Sequence, residues 1–270
     1  MDRFAQRLDP GQERVHLVLP AGLSETLARV VSLAQRPDLA AEWGFPHRRR
    51  SARGVSVLFV GPPGTGKTLA ARFLAQELGI DLYRVDLARI VSKYIGETEK
   101  NLGRLFDEAG ATGAVLLFEE AGALFGARTE VHDSHDRYAN MEVSYLLQRL
   151  ENFEGIAIVT ARCADRLDHA FLRRFSFVLR FPMPDERSRL QLWRLHVPAG
   201  AHANEAELAR VASDFALNGK QIRDAVLAAV AEAGSHGRPV TGADLTLAAE
   251  RGRSTATPAR PGGVRLDPAD

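Results

Sequence analysis

Gly61-Pro62-Pro63-Gly64-Thr65-Gly66-Lys67-Thr68 decides the reading of this chain. The octet has the pattern G-x-x-x-x-G-K-[ST], and each residue type in it answers a physical need. Backbone N–H groups have to turn inward around anionic oxygens, and glycine permits that geometry without a Cβ clash. The first turn of a following helix adds partial positive charge at the same point. Lys67 offers a cation to the outer phosphates of a nucleotide, and the Thr68 hydroxyl offers a ligand to Mg²⁺. On ordinary residue frequencies a chain of this length shows the pattern by accident roughly once in a hundred. The loop from Gly61 to Thr68, with Leu69 entering the helix behind it, is therefore read as binding the phosphates of a nucleotide, the plainer alternative being a glycine turn with no ligand.

Working outward, the loop is preceded by the apolar run Val55–Val60 and followed by helical spacing over Lys67–Leu78. Further strand candidates are Asp81–Asp86, Ala114–Phe118, Ile156–Thr160 and Phe175–Phe181, with helical patterns at Thr98–Ala109 and Tyr138–Leu150. Continuous apolar strands alternating with helices predict an α/β domain: a five-stranded parallel sheet flanked by helices. Ligands bind beyond the carboxyl ends of such strands. The run Ala114–Phe118 delivers Glu119 and Glu120 to that edge. One carboxylate, Glu119, suits the Mg²⁺ shell, and the other, Glu120, suits polarisation of an attacking water. The plainer alternative is a pair of solvated acids after a core strand.

The rest of the chain sets bounds. It has 270 residues, 35 Lys+Arg against 34 Asp+Glu, and a hydrophobic fraction of 45%. These values fit a globular protein of one large domain or one with a small companion, and they argue against a generally basic nucleic-acid binder. The single Cys163 allows no internal disulfide, and the longest apolar run, Ala225–Ala231, is far short of the roughly 20 residues of a membrane span. A cytoplasmic protein with no membrane partner is expected. Residues 1–20 read as a flexible leader, 21–184 as the large α/β domain, 185–250 as a small helical lid, and the Pro-, Gly- and Arg-rich 251–270 as a disordered tail. The basic run His47–Arg53 reads as a solvated loop or as a contact for a phosphate or an acidic partner.

With the phosphate loop and the acidic strand end in register, the chain resembles the AAA+ ATPases, over roughly residues 40–250, and within them a bacterial group with a single ATPase module. Stretches such as Ser92–Asn101 and Asp133–Asn140 carry that closer likeness, and some proteins of the group accompany phage-tail-like contractile injection systems. The resemblance implies a P-loop NTPase fold, a ring of identical subunits and a protein substrate or adaptor. It places Lys93, Tyr94, Ile95 and Gly96 in a pore loop that grips the substrate. It places Arg174, and as second choice Arg173, as arginine fingers reaching a neighbour's nucleotide. Arg223 falls in the sensor-2 region, and backbone near Glu42–Phe45, including Gly44, meets adenine. His132, Asp133, His135 and Asp136 can also be drawn as a metal site, though hydrated acidic loops have the same composition.

The chain departs from that family at several positions. Glu119 stands where aspartate is usual and reaches one carbon further. Arg162 stands at the sensor-1 position, normally asparagine. From there a cation can contact the γ-phosphate, which preserves hydrolysis, or pair with Glu120, which lowers its basicity. Gly122 replaces an acid, and His169 a proline. Three functions compete on this reading: an ATP hydrolase that remodels or threads a protein, an ATP-binding scaffold with weak hydrolysis, and a DNA-acting motor, against which the near-neutral charge counts.

Overall fold

The computed structural model describes residues 1, 3–9, 15–36, 54–90, 96–120, 144–163 and 169–254. The chain divides between Met183 and Pro184 into two compact units. In chain order the first contains β1 (Ala5–Leu8), α1 (Ala21–Gln35), β2 (Val55–Val60), α2 (Lys67–Leu78), β3 (Leu82–Val85) and α3 (Leu87–Ile90). It continues with α4 (Glu97–Thr112), β4 (Val115–Phe118), α5 (144–152), β5 (Ile156–Ala161), α6 (His169–Leu172) and β6 (Phe177–Arg180).

The strands form one six-stranded sheet in the order β1-β3-β4-β5-β2-β6. β2 to β6 are parallel, and β1 runs antiparallel along β3. All six residues of β2 and all six of β5 are buried, because helices cover both sides and each face needs its own apolar set. Val55, Val57 and Phe59 pack with Leu27 and Val30 of α1 and Leu74 of α2, while Leu58 and Val60 pack with Leu105 and Phe106 of α4 and Leu146 of α5. The period-2 alternation of side chains divides one apolar run between two cores.

Two expectations need correcting. The sheet has six strands, not five, and the sixth comes from the supposed flexible leader. In β1 the ends Ala5 and Leu8 are buried while Gln6 and Arg7 are exposed. Phe4 packs in the core beside Ala5. Arg7 also donates to Asp81 at 2.6 Å. Backbone pairing of Ala5–Leu8 with Leu82–Val85 satisfies the edge of β3 that would otherwise face water. Residues 15–20 are irregular yet anchored: Val15 donates its N–H to Gln76 Oε1 at 2.8 Å, and Leu17 and Leu19 pack on the core.

The second unit holds α7 (Glu186–His196), α8 (Glu205–Asp214), α9 (Gly219–Ser235) and α10 (Gly242–Ser254) around the fully buried Trp193. Asp185 caps α7, and Asn204 and Asn218 form capping boxes with Glu207 and Gln221 for α8 and α9. Helix runs on to Ser254, four residues past the expected end of the lid, and 255–270 of the expected tail lie outside the described residues. No described helix is long and apolar enough to cross a membrane.

Candidate functional site

The parallel strands bring their carboxyl ends to one edge of the sheet. β2 ends at Val60 and β5 at Ala161, directly paired, while Phe118 of β4 pairs with Val159. Gly61, Arg162 and the pair Glu119–Glu120 therefore leave the sheet side by side, from strands separated by one 4.8 Å step each. Pairing extends past β2: Gly61 N–H donates to Ala161 O at 3.0 Å.

The phosphate loop is tightly built. A Cβ on Gly61 would lie 2.1 Å from the carbonyl oxygen of Phe181, so no side chain fits there. Gly66 has φ 100° and caps α2 in the left-handed region, where any other residue would be strained. Pro62 and Pro63 are exposed, Gly64, Thr65 and Thr68 half-buried, and Leu69 exposed at the outer side of α2. Thr65 Oγ1 donates to Pro62 O at 2.8 Å, bracing the turn. Lys67 folds its ammonium into the loop, donating to Gly61 O at 2.6 Å and to Pro62 O at 2.8 Å. Burial holds its pKa below the ordinary lysine range; Glu120 and Glu119 oppose that shift, and the cation of Arg162 adds to it. A lysine in this condition gains from an arriving anion.

The two glutamates differ in what they meet. Glu119 accepts a hydrogen bond from Thr68 Oγ1 through Oε1, and its Oε2 lies 3.7 Å from Arg84 of β3. A hydroxyl and a carboxylate oxygen together are the hard oxygen donors that Mg²⁺ prefers, so these two residues fit that ion. Glu120 has φ 53°, the only described non-glycine residue with positive φ. Its N–H donates to Oγ1 of Thr160, a buried threonine on β5, at 2.9 Å. Its carboxylate receives NH2 of Arg162 at 2.9 Å to Oε1 and 2.7 Å to Oε2. Of the two arrangements open to Arg162 from sequence, this structure has the pairing with Glu120. Thr160, Arg84 and Gln6 are not among the residues that the sequence singles out. The first was visible as a polar residue in an apolar strand, the others only as charge and amide at a strand edge.

The remaining candidates are dispersed. Arg174 donates to Glu151 of α5 at 2.8 Å, and its carbonyl accepts from Ser56 Oγ at 3.3 Å. Arg173 is exposed, with no partner among the described residues. Arg223 lies on α9 and pairs with Asp224 at 3.1 Å. Gly96 caps α4, whereas Lys93, Tyr94 and Ile95, the adenine segment with Gly44, Gly122 and the 128–140 segment with its histidines lie outside the described residues. His169 begins α6. No group of three metal-ligating side chains occurs among the described residues. A cavity of about 770 Å³ lies beside the phosphate loop rather than over it, lined by Gln6, Arg7, Arg84, Asp86 and Arg89, and it shares Glu119 with the loop site.

The chain's likenesses agree with this geometry. Residues 57–183 match the family described as "ATPase family associated with various cellular activities (AAA)", and residues 185–258 match "Contractile injection system ATPase helical domain". An uncharacterized AAA family ATPase of Sinorhizobium fredii is 36% identical over 67% of this chain and 53% of its own length. A proteasome-activating nucleotidase of Methanoregula boonei is 34% identical over 65% of this chain and 41% of its own length. The chain thus spans about half the length of the curated relatives it matches. Among solved structures, the AAA domain of FIGL-1 in complex with ADP superposes with a TM-score of 0.70 at 20% identity, covering 94% of this chain and 88% of that one.

Proposed function

This chain belongs to the AAA family of ATPases and has the P-loop NTPase fold, and on that premise we propose that it binds ATP with Mg²⁺ and hydrolyses it to remodel or thread a protein substrate. The observation that carries the proposal is the cluster at the sheet edge: a braced phosphate loop, Thr68 on Glu119, and Glu120 one strand from Arg162. The loop N–H groups and Lys67 hold the β- and γ-phosphates. Thr68 and Glu119 would hold Mg²⁺, which would supply positive charge against that developing on the phosphate oxygens. Glu120 takes a proton from a water whose oxygen attacks the γ-phosphorus. The bond to the bridging oxygen breaks as the new one forms, and ADP departs with the electron pair. Arg162 neutralises Glu120 before nucleotide binds, so it must release that carboxylate for the carboxylate to accept a proton.

In this proposal the active form is a homo-hexameric ring in the cytoplasm. Arg174, with Arg173 as second choice, crosses to a neighbour's γ-phosphate, Arg223 and the backbone about Gly44 contact the nucleotide, and Lys93–Gly96 line the pore. Family likeness supports these assignments, and the helical-domain likeness supports a contractile injection system as the setting. A second reading, a nucleotide-dependent scaffold with weak turnover, is favoured by the close Arg162–Glu120 pair.

Phosphate release measured against protein concentration tests the hydrolysing ring. The specific rate rises with concentration as subunits assemble, and Arg174→Ala lowers it about 10³-fold or more at unchanged nucleotide affinity. A specific rate independent of concentration and of Arg174 would remove the ring. No release at any concentration would leave the scaffold reading.

A further inference from the structure

The carboxylate of Glu119 is engaged on two sides. Oε1 accepts from Thr68, and Oε2 faces NH1 of Arg84 at 3.7 Å. Arg84 is held in turn from the outer strand: its NH2 donates to Gln6 Oε1 at 2.6 Å, and Gln6 is its cross-strand partner in the β1–β3 register. A continuous polar chain thus runs from β1 through β3 and β4 to the hydroxyl on the first turn of α2. No other described cation contacts Glu119.

We propose that Arg84, steadied by Gln6, is a positioning residue that aims Glu119 at the divalent cation, making the antiparallel edge strand part of the support of the metal site. The proposal rests on the reading of the loop as a Mg²⁺–nucleotide site. A glutamate has one more rotatable bond than an aspartate, and a Mg²⁺ ligand must sit within a narrow octahedral geometry near 2.1 Å. Holding Oε2 leaves Oε1 as the oxygen directed at Thr68, the one the ion needs. A neighbouring cation also repels Mg²⁺, so the sign has to be decided. Arg84 is nearly half exposed, at 45%, where water and salt screen charge–charge repulsion. The attraction that orients Glu119 is screened as well, but it acts on Oε2 at 3.7 Å, whereas an ion on Oε1 sits beyond the carboxylate from Arg84, so positioning prevails. Partners of this outer kind are worth about 10- to 100-fold in metal affinity when buried; this exposed one is placed below that, at about 3- to 10-fold.

The experiment titrates Mg²⁺ into the full chain with a fluorescent ADP analogue and reads the half-saturating Mg²⁺ concentration from nucleotide affinity, with no turnover required. Arg84→Gln raises it about 3- to 10-fold while affinity in EDTA stays unchanged; Arg84→Lys raises it less, and Gln6→Ala falls between parent and Arg84→Gln. In a Glu119→Asp background, whose shorter arm does not reach Arg84, adding Arg84→Gln shifts nothing further. Thermal melting of each variant matches the parent, since Arg84 and Gln6 are exposed. An unchanged Mg²⁺ requirement in Arg84→Gln overturns the inference, as does an equal shift in both backgrounds or an equal loss of affinity in EDTA. A parent chain that binds no nucleotide overturns the reading of the site itself, and this inference with it.

Discussion

In the proposed mechanism, Arg162 and Glu120 set the balance between turnover and restraint. Their pair is close, at 2.7 Å, yet both side chains are more than half exposed, at 66% and 58%. Exposed ion pairs contribute about 0.2–1 kcal/mol, which converts to a rate effect of roughly 1.5- to 5-fold. On the proposed mechanism the pair slows turnover by that factor, in the direction of the scaffold reading but short of abolishing hydrolysis. Arg162→Asn is expected to raise kcat for ATP by about 1.5- to 5-fold at little cost in nucleotide affinity. A fall in kcat in a steady-state assay would mean instead that Arg162 serves the γ-phosphate. The left-handed backbone of Glu120, secured by the Thr160 hydroxyl, is the other half of the arrangement. A non-glycine residue there costs about 1 kcal/mol or more, a cost the half-buried hydrogen bond helps to offset. The Arg162–Glu120 pairing was one of two arrangements open from sequence, whereas the Thr160 bond was not visible: residues 120 and 160 are 40 apart, and only the parallel register of β4 and β5 makes them neighbours.

At the scale of elements, β2 and α2 were legible because every signal agreed. Val55–Val60 is apolar throughout, the loop follows at once, and Lys67–Leu78 is rich in helix formers and closes on Gly79 in the left-handed conformation. β1 was not legible, because four residues with polar ones in the middle carry too little pattern, and its stability comes from pairing with a strand about 75 positions away. α10 opens on Thr241-Gly242-Ala243-Asp244, a capping arrangement seen only in the structure. There Asp244 accepts from Thr241 N–H at 2.9 Å and from both ends of the Arg238 guanidinium at 2.6 and 2.7 Å. Those hydrogen bonds, that of Arg238 foremost, hold the Asp244 carboxyl far below the usual carboxylate range. Its folded pKa is depressed, so its contribution to stability is complete above the unfolded value and is lost as pH falls below about 4. Asp244→Asn is expected to lower the melting temperature at pH 7, with the gap to the parent closing in acid. A gap that is the same at pH 7 and pH 3 in calorimetry would refute the assignment.

For the molecule as a whole, the chain divides into two units. The sheet of the first gathers the phosphate loop, both glutamates and Arg162 at one edge, and the second is a helical unit whose likeness is to contractile injection system ATPases. In the proposed reaction Glu120 accepts the proton of the attacking water. The most direct test is a comparison of Glu120→Gln with the parent: phosphate release from ATP at saturating Mg²⁺, alongside affinity for the same nucleotide. The amide keeps the shape and cannot take a proton, so release should fall about 10²-fold or more while affinity stays within about 2-fold. Equal release by the two proteins would contradict the account.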